Sequence, residues 1–199
     1  MPLTPARAQG VARNGPILVV GDSLSAEYGL ERGAGWVALL EARLLQKKIA
    51  MRVVNASISG DTTSGGRTRL PALLKQYRPA IVVLELGGND ALRGLPLTMT
   101  RDNLDAMAKA AKASGAKVVI AGMQLPPNYG RQYGEQFAAL FAAVAKAEGT
   151  SLVPFLLEGV ADGPRADTMF QPDRIHPLAA AHPTILDNVW RVLAPLLKR

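Results

Sequence analysis

The chain carries a serine at the end of a buried-looking apolar run, in Ile17-Leu18-Val19-Val20-Gly21-Asp22-Ser23-Leu24-Ser25. Far downstream, Asp173 stands three residues before His176 in Gln171-Pro172-Asp173-Arg174-Ile175-His176-Pro177. A hydroxyl, an imidazole and a carboxylate are the parts of an acyl-transfer relay: a nucleophile, a base to take its proton, and a group to orient that base. Ser23 can be the nucleophile. His176 is one of only two histidines, and an imidazole of pKa about 6.5 suits a general base near neutrality. Asp173 at i−3 can reach the same ring within one turn and fix its tautomer.

Such a reaction also needs donors for the negative charge that develops on the carbonyl oxygen. The backbone N–H groups of Ser23 and of Gly60 in Ser59-Gly60-Asp61, and the side-chain amide of Asn89 in Gly87-Gly88-Asn89-Asp90, each follow an apolar run and can serve. Gly60 has no Cβ to obstruct an approach. Blander uses exist for each residue. Ser23 can cap a following helix, Asn89 can sit in a turn, and Gly60 can simply permit a tight connection. Asp61 and Asp90 read as carboxylates bracing their loops. His182, with no carboxylate at a useful spacing, reads as structural or exposed. No metal-ligand spacing exists, so no metal and no cofactor is expected.

These residues have to be held by something. Short β-branched runs at 16–21, 51–57, 80–86, 117–123 and 151–155 read as five strands, the central ones nearly continuous in Val, Ile and Leu. Between them lie amphipathic patterns. Trp36, Leu39, Leu40 and Leu44 make one apolar face and Leu104, Met107, Ala108 and Ala111 another; further helices run over about 131–148 and 178–197, the last interrupted or kinked by Pro183 and Pro195. Strict alternation predicts a single α/β domain over 15–199: a three-layer α/β/α sandwich, flavodoxin-like, on a parallel sheet of about five strands. Residues 1–14 are expected to form a flexible lead-in. Ligands of open parallel sheets bind outside the carboxyl ends of the strands. The irregular stretches 87–97, 123–130 and 158–177 should emerge there. Leu92, Leu95 and Pro96 in the first, Leu125 and Pro126 in the second, and Arg174 beside His176 are the expected substrate contacts, the loops forming a shallow acyl groove with movable walls.

Composition narrows the classes. With 199 residues, 48% hydrophobic and 20% charged, the chain suits one domain with a sizeable core. No apolar run reaches the roughly 18–20 residues needed to span a bilayer. There are no cysteines, which removes disulfides, thiolate zinc sites and a cysteine nucleophile. The formal charge of +7 favours anionic partners. Its lysines and arginines are scattered, with no basic run longer than Lys47-Lys48, which speaks against nucleic acid. Ala6-Arg7-Ala8 before Gln9 has the small-x-small pattern of a signal-peptidase site, without an apolar segment ahead of it.

Four blocks in this order resemble the SGNH, or GDSL-type, hydrolases: Gly21-Asp22-Ser23-Leu24-Ser25, Gly60 within Ile58-Ser59-Gly60-Asp61-Thr62-Thr63, Gly87-Gly88-Asn89-Asp90, and Asp173 with His176. The stretches VVNASISGDT, RLPALLKQ, LELGGNDALRG and LPPNYGRQY extend the similarity to the bacterial thioesterase I, lysophospholipase and arylesterase subgroup, over about residues 15 to 197. The resemblance implies the SGNH hydrolase fold and a serine hydrolase acting on arylesters, acyl thioesters and lysophospholipids. It further implies a triad of Ser23, Asp173 and His176, and an oxyanion hole of Ser23, Gly60 and Asn89. It implies a first loop that shifts on binding acyl chains, and export to the periplasm or beyond. Partners would be small acyl substrates, with no nucleic acid and no stable membrane insertion. The family usually has a small residue, often Gly, where this chain has Arg174; a cation there could lower the histidine pKa or meet an anionic substrate. Two rival functions stand beside this one: a carbohydrate O-deacetylase of the same superfamily, and a non-catalytic binder cradling a phosphate on Gly21–Ser25 at a helix N-terminus.

Overall fold

In a computed structural model that describes residues 15–197, five strands form one wholly parallel sheet in the order β2-β1-β3-β4-β5. They are β1 (Ile17–Gly21), β2 (Val53–Asn55), β3 (Ile81–Glu85), β4 (Lys117–Ala121) and β5 (Ser151–Val153). β1 and β3 are buried along their whole length, and β4 everywhere but Lys117. That is why their sequences are unbroken in branched apolar residues: both faces of the sheet are covered. The edge strands β2 and β5 are only three residues long and carry Asn55 and Ser151.

Among the described residues six α-helices connect and follow the strands, two of them between β3 and β4: α1 (Trp36–Gln46), α2 (Thr63–Tyr77), α3 (Gly88–Leu92), α4 (Leu97–Ala113), α5 (Arg131–Glu148) and α6 (His182–Leu197). α1 packs with α6 on one face of the sheet, and α4 packs between α2 and α5 on the other. This gives the expected three layers. α1 buries Trp36, Val37, Leu40 and Leu44, and α4 buries Leu104, Met107, Ala108 and Ala111. Leu39 is only half-buried, because a helix that packs on one side cannot bury a stripe wider than its contact.

Three local expectations change. The stretch 87–97 is not continuous loop: α3 occupies Gly88–Leu92, and α4 starts at Leu97. Pro183 does not interrupt the last helix. It stands in the first turn of α6, where a missing N–H costs nothing, and only Pro195 lies inside the helix. No helix follows β1 directly, since residues 22–35 run through turns before α1. Residues 1–14, with the Ala6-Arg7-Ala8 pattern and the expected flexible lead-in, lie outside the described residues. No helix among the described residues is long and apolar enough to cross a membrane.

Candidate active site

In this strand order the chain leaves β1 toward one edge of the sheet and returns from β2 to β3 on the other side. The crevice between the ends of β1 and β3 is the topological switch point. Ser23 emerges from β1, and Asn89 lies on α3 just after β3. The 169–178 segment closes over them as a self-bonded loop: Leu178 N–H donates to Met169 O (2.8 Å) and Gln171 N–H to His176 O (2.8 Å).

Within that loop Asp173 Oδ1 accepts the N–H groups of Ile175 (2.9 Å) and His176 (3.0 Å). Its Oδ2 lies 2.7 Å from His176 Nδ1. His176 Nε2 lies 2.8 Å from Ser23 Oγ. The network assigns the proton of Nδ1 to the bond with Asp173, leaving Nε2 to accept from the serine hydroxyl. Burial pushes the Asp173 carboxyl up, but hydrogen bonds from the His176 backbone and ring and from Ile175 N–H outweigh it and hold the group at about 2. It is a carboxylate at any pH where the enzyme would work.

Ser23 does not cap a helix, because none begins before Trp36. The turn is made instead by Asp22, whose Oδ1 accepts Leu24 N–H (3.1 Å). The missing helix also removes the rival phosphate cradle, which required a helix N-terminus at Gly21–Ser25. Gly60 has φ +77°, and a Cβ built there would meet only Arg93 Nη2 at 3.6 Å. Its backbone conformation, rather than the space around it, calls for glycine.

Among the described residues, neither Ser23 N–H nor Gly60 N–H has an acceptor within the protein. Asn89 Nδ2, in contrast, donates to Asp22 Oδ2 (3.0 Å) and to Asp61 O (2.9 Å). Both amide hydrogens are engaged, so Asn89 must release one to serve an external oxygen. Asp22 is 3% exposed. Burial pushes its carboxyl up to about 6, against the opposing pull of Leu24 N–H, His176 and Asn89. Beneath it Glu85, fully buried, accepts Asp22 N–H (3.3 Å) and lies 2.6 Å from Ser25 Oγ. Burial first, and Asp22 second, raise the Glu85 carboxyl well above the usual range.

Asp61 and Asp90 brace as expected. Asp61 pairs with Arg69 (2.8 Å) and accepts Thr62 N–H. Asp90 Oδ2 accepts Thr63 N–H (2.9 Å) at the start of α2, and its Oδ1 bonds Thr63 Oγ1. His182 is buried, with Nδ1 accepting Trp36 N–H at the start of α1 (3.0 Å). Burial lowers its pKa, so it is a neutral structural group.

A cavity of about 610 Å³ opens beside Ser23. Of the expected substrate contacts, Leu92, Leu125, Pro126 and Arg174 line it. Leu95 and Pro96 do not: Leu95 is held back by its N–H bond to Asp90 O, and Pro96 caps α4. Met123, Phe155, Leu157 and Phe170 complete the apolar wall. They come from three segments with no shared spacing, and no sequence pattern pointed to them.

A serine–histidine–aspartate relay beside an apolar cavity, at the carboxyl rim of a parallel sheet, defines a serine ester hydrolase. The chain belongs to the GDSL-like lipase/acylhydrolase family, whose model matches residues 19–183. It is 56% identical to esterase TesA of Pseudomonas aeruginosa over 181 residues, 91% of this chain and 89% of that protein. It is 44% identical to thioesterase 1/protease 1/lysophospholipase L1 of Escherichia coli K12, over 91% of this chain and 84% of that one. The crystal structure of the psychrotrophic esterase EstA from Pseudoalteromonas sp., inhibited by monoethylphosphonate, superposes with a TM-score of 0.85 at 37% identity, covering 93% of this chain and all of that one.

Proposed function

We propose that this enzyme hydrolyses carboxylic esters and thioesters of medium to long acyl chains, arylesters and lysophospholipids among them, with Ser23 as nucleophile. The reading rests on one observation: an unbroken hydrogen-bonded line from Ser23 Oγ through His176 to Asp173, opening onto the apolar cavity. Ser23 Oγ attacks the acyl carbonyl while His176 Nε2 takes its proton. Asp173, a carboxylate throughout, stabilises the imidazolium. The tetrahedral oxyanion receives Ser23 N–H and Gly60 N–H, and Asn89 Nδ2 turns one hydrogen from Asp22 to join them. His176 then protonates the departing alcohol or thiol, leaving Ser23 acylated. A water, deprotonated by His176, repeats the sequence and frees the acid. The cavity holds the acyl chain. Its apolar wall favours that chain over the polar ring of an acetylated sugar, which sets this reading above the deacetylase alternative. Export to the periplasm goes with it, supported by the Ala6-Arg7-Ala8 pattern.

A fluorophosphonate probe should add its mass at Ser23, and Ser23→Ala should lose on the order of 10⁴–10⁶ in kcat on an aryl acetate. Retention of most of that activity would dismiss Ser23 as the nucleophile.

A further inference from the structure

Tyr28 lies outside all four sequence blocks, yet its ring centroid stands 4.3 Å from that of His176, with the two planes inclined at 38°. Half of this side chain is exposed. An exposed tyrosine ordinarily samples several rotamers, but the backbone beneath this one is fixed at three points. Glu27 holds a left-handed φ of 60° that a residue with a Cβ adopts only at a cost. Its carboxylate repays that by accepting the N–H groups of Gly33 (3.1 Å) and Gly35 (2.8 Å). Gln171 Nε2, from the loop that carries Asp173 and His176, donates to Tyr28 O (2.9 Å). At Gly29, with φ +70°, a Cβ would come within 2.2 Å of Gln171 Oε1, so nothing larger fits against this tether.

The nucleophile's turn and the histidine's loop are thus tied through Tyr28 twice, once by its carbonyl and once by its ring. An aromatic face attracts a cation lying over it. The imidazole becomes a cation only once it has taken the serine proton, so such a contact strengthens on the way to the transition state. We infer that Tyr28 is a positioning residue for His176, whose ring holds the imidazole in line with Ser23 and stabilises its protonated form. The inference rests on the serine-hydrolase reading above. The charged groups facing His176 are Asp22 from the nucleophile's turn and Asp173 and Arg174 from its own loop, and all remain when Tyr28 is replaced.

The test uses the full chain and a neutral aryl acetate, following kcat and KM from pH 5 to 9. Tyr28→Ala should lower kcat about five- to tenfold with KM within twofold, and should move the acid-side midpoint of kcat/KM to lower pH. Tyr28→Phe should restore both. Tyr28→Leu, which fills the space without a π face, should leave the midpoint where Ala puts it. A structural role alone would lower the thermal midpoint and leave the pH profile in place. An unmoved profile, an upward move, or Leu performing as well as Phe would overturn the inference while phosphonate labelling at Ser23 kept the hydrolase reading intact. Absence of that label in the unmodified protein would overturn both.

Discussion

At the scale of single residues, the Asn89 amide is the group whose present bonds and proposed task differ. It spends one hydrogen on Asp61 O and the other on Asp22 Oδ2, so Asp22 is both its holder and its competitor. Asp22 Oδ1 is committed to Leu24 N–H. A proton arriving on the carboxyl therefore goes to Oδ2 and turns an acceptor facing Asn89 into a donor. This arrival is centred near pH 6, and the proton that removes a general base is a second, separate one. The acid limb of kcat/KM should then fall with the square of the proton concentration, not its first power. Asp22→Asn makes the donor–donor contact permanent; it should lower kcat at pH 8 about ten- to a hundredfold and reduce the acid limb to a single proton. Asn89→Ala should cost about 10²–10³ in kcat. A first-power limb in the unmodified enzyme would remove Asp22 from this account.

Among the elements, the regular ones were legible and the irregular ones much less so. Buried strands announce themselves because both sheet faces demand branched apolar residues, and α5 was bounded correctly at 131–148 because its apolar period runs unbroken. α3 was hidden. Five residues, Gly88-Asn89-Asp90-Ala91-Leu92, are too few to show a period, and two leading glycines read as a turn. The residues proposed as a triad stand out because His176 is one of two histidines, Asp173 precedes it by three, and Ser23 follows β1. Tyr28 and the cavity residues Met123, Phe155, Leu157 and Phe170 were not legible, since they meet through contacts between remote segments that no local spacing records. Arg174 lies between these cases. It was noted as a departure from the family's small residue, and the structure gives it φ 57°, which explains why glycine is the usual occupant. Arg174→Gly should relieve this strain and stabilise the fold by about 0.5–1 kcal/mol in urea unfolding. With the side chain gone from the cavity lining, kcat/KM on an ester with an anionic leaving group should fall severalfold while a neutral one changes less than twofold. Equal effects on both substrates would leave the guanidinium no part in selection.

For the molecule as a whole, one group of exposed cations lies at the end of the strand axis away from the site. Exposed Lys47, Lys48, Arg52, Lys75, Arg78 and Lys117 gather where helices end and strands begin, the end at which helix dipoles favour cations. These cations therefore sit away from the site, at the pole where they also steady the helices. The opposite pole buries two acids, Asp22 and Glu85, under the turn that carries Ser23. Each binds its proton more tightly folded than unfolded. Their contribution to stability is thus complete below the unfolded carboxyl pKa of about 4 and is lost as pH rises through the folded value, about 6 for Asp22. Asp173 runs the other way, its contribution present above about 4 and lost only as pH falls toward 2. Between pH 5 and pH 8 the buried acids lose stability as pH rises, while buried His182, whose pKa burial lowers, gains it. Asp22 alone should cost about 1–2 kcal/mol over that interval, lowering the thermal midpoint by a few degrees. Urea unfolding at pH 5 and pH 8 measures this directly, and Glu85→Gln should reduce the slope by removing one of the two titrating groups. A slope unchanged by Glu85→Gln would mean that Glu85 does not take up a proton over this interval in the folded protein.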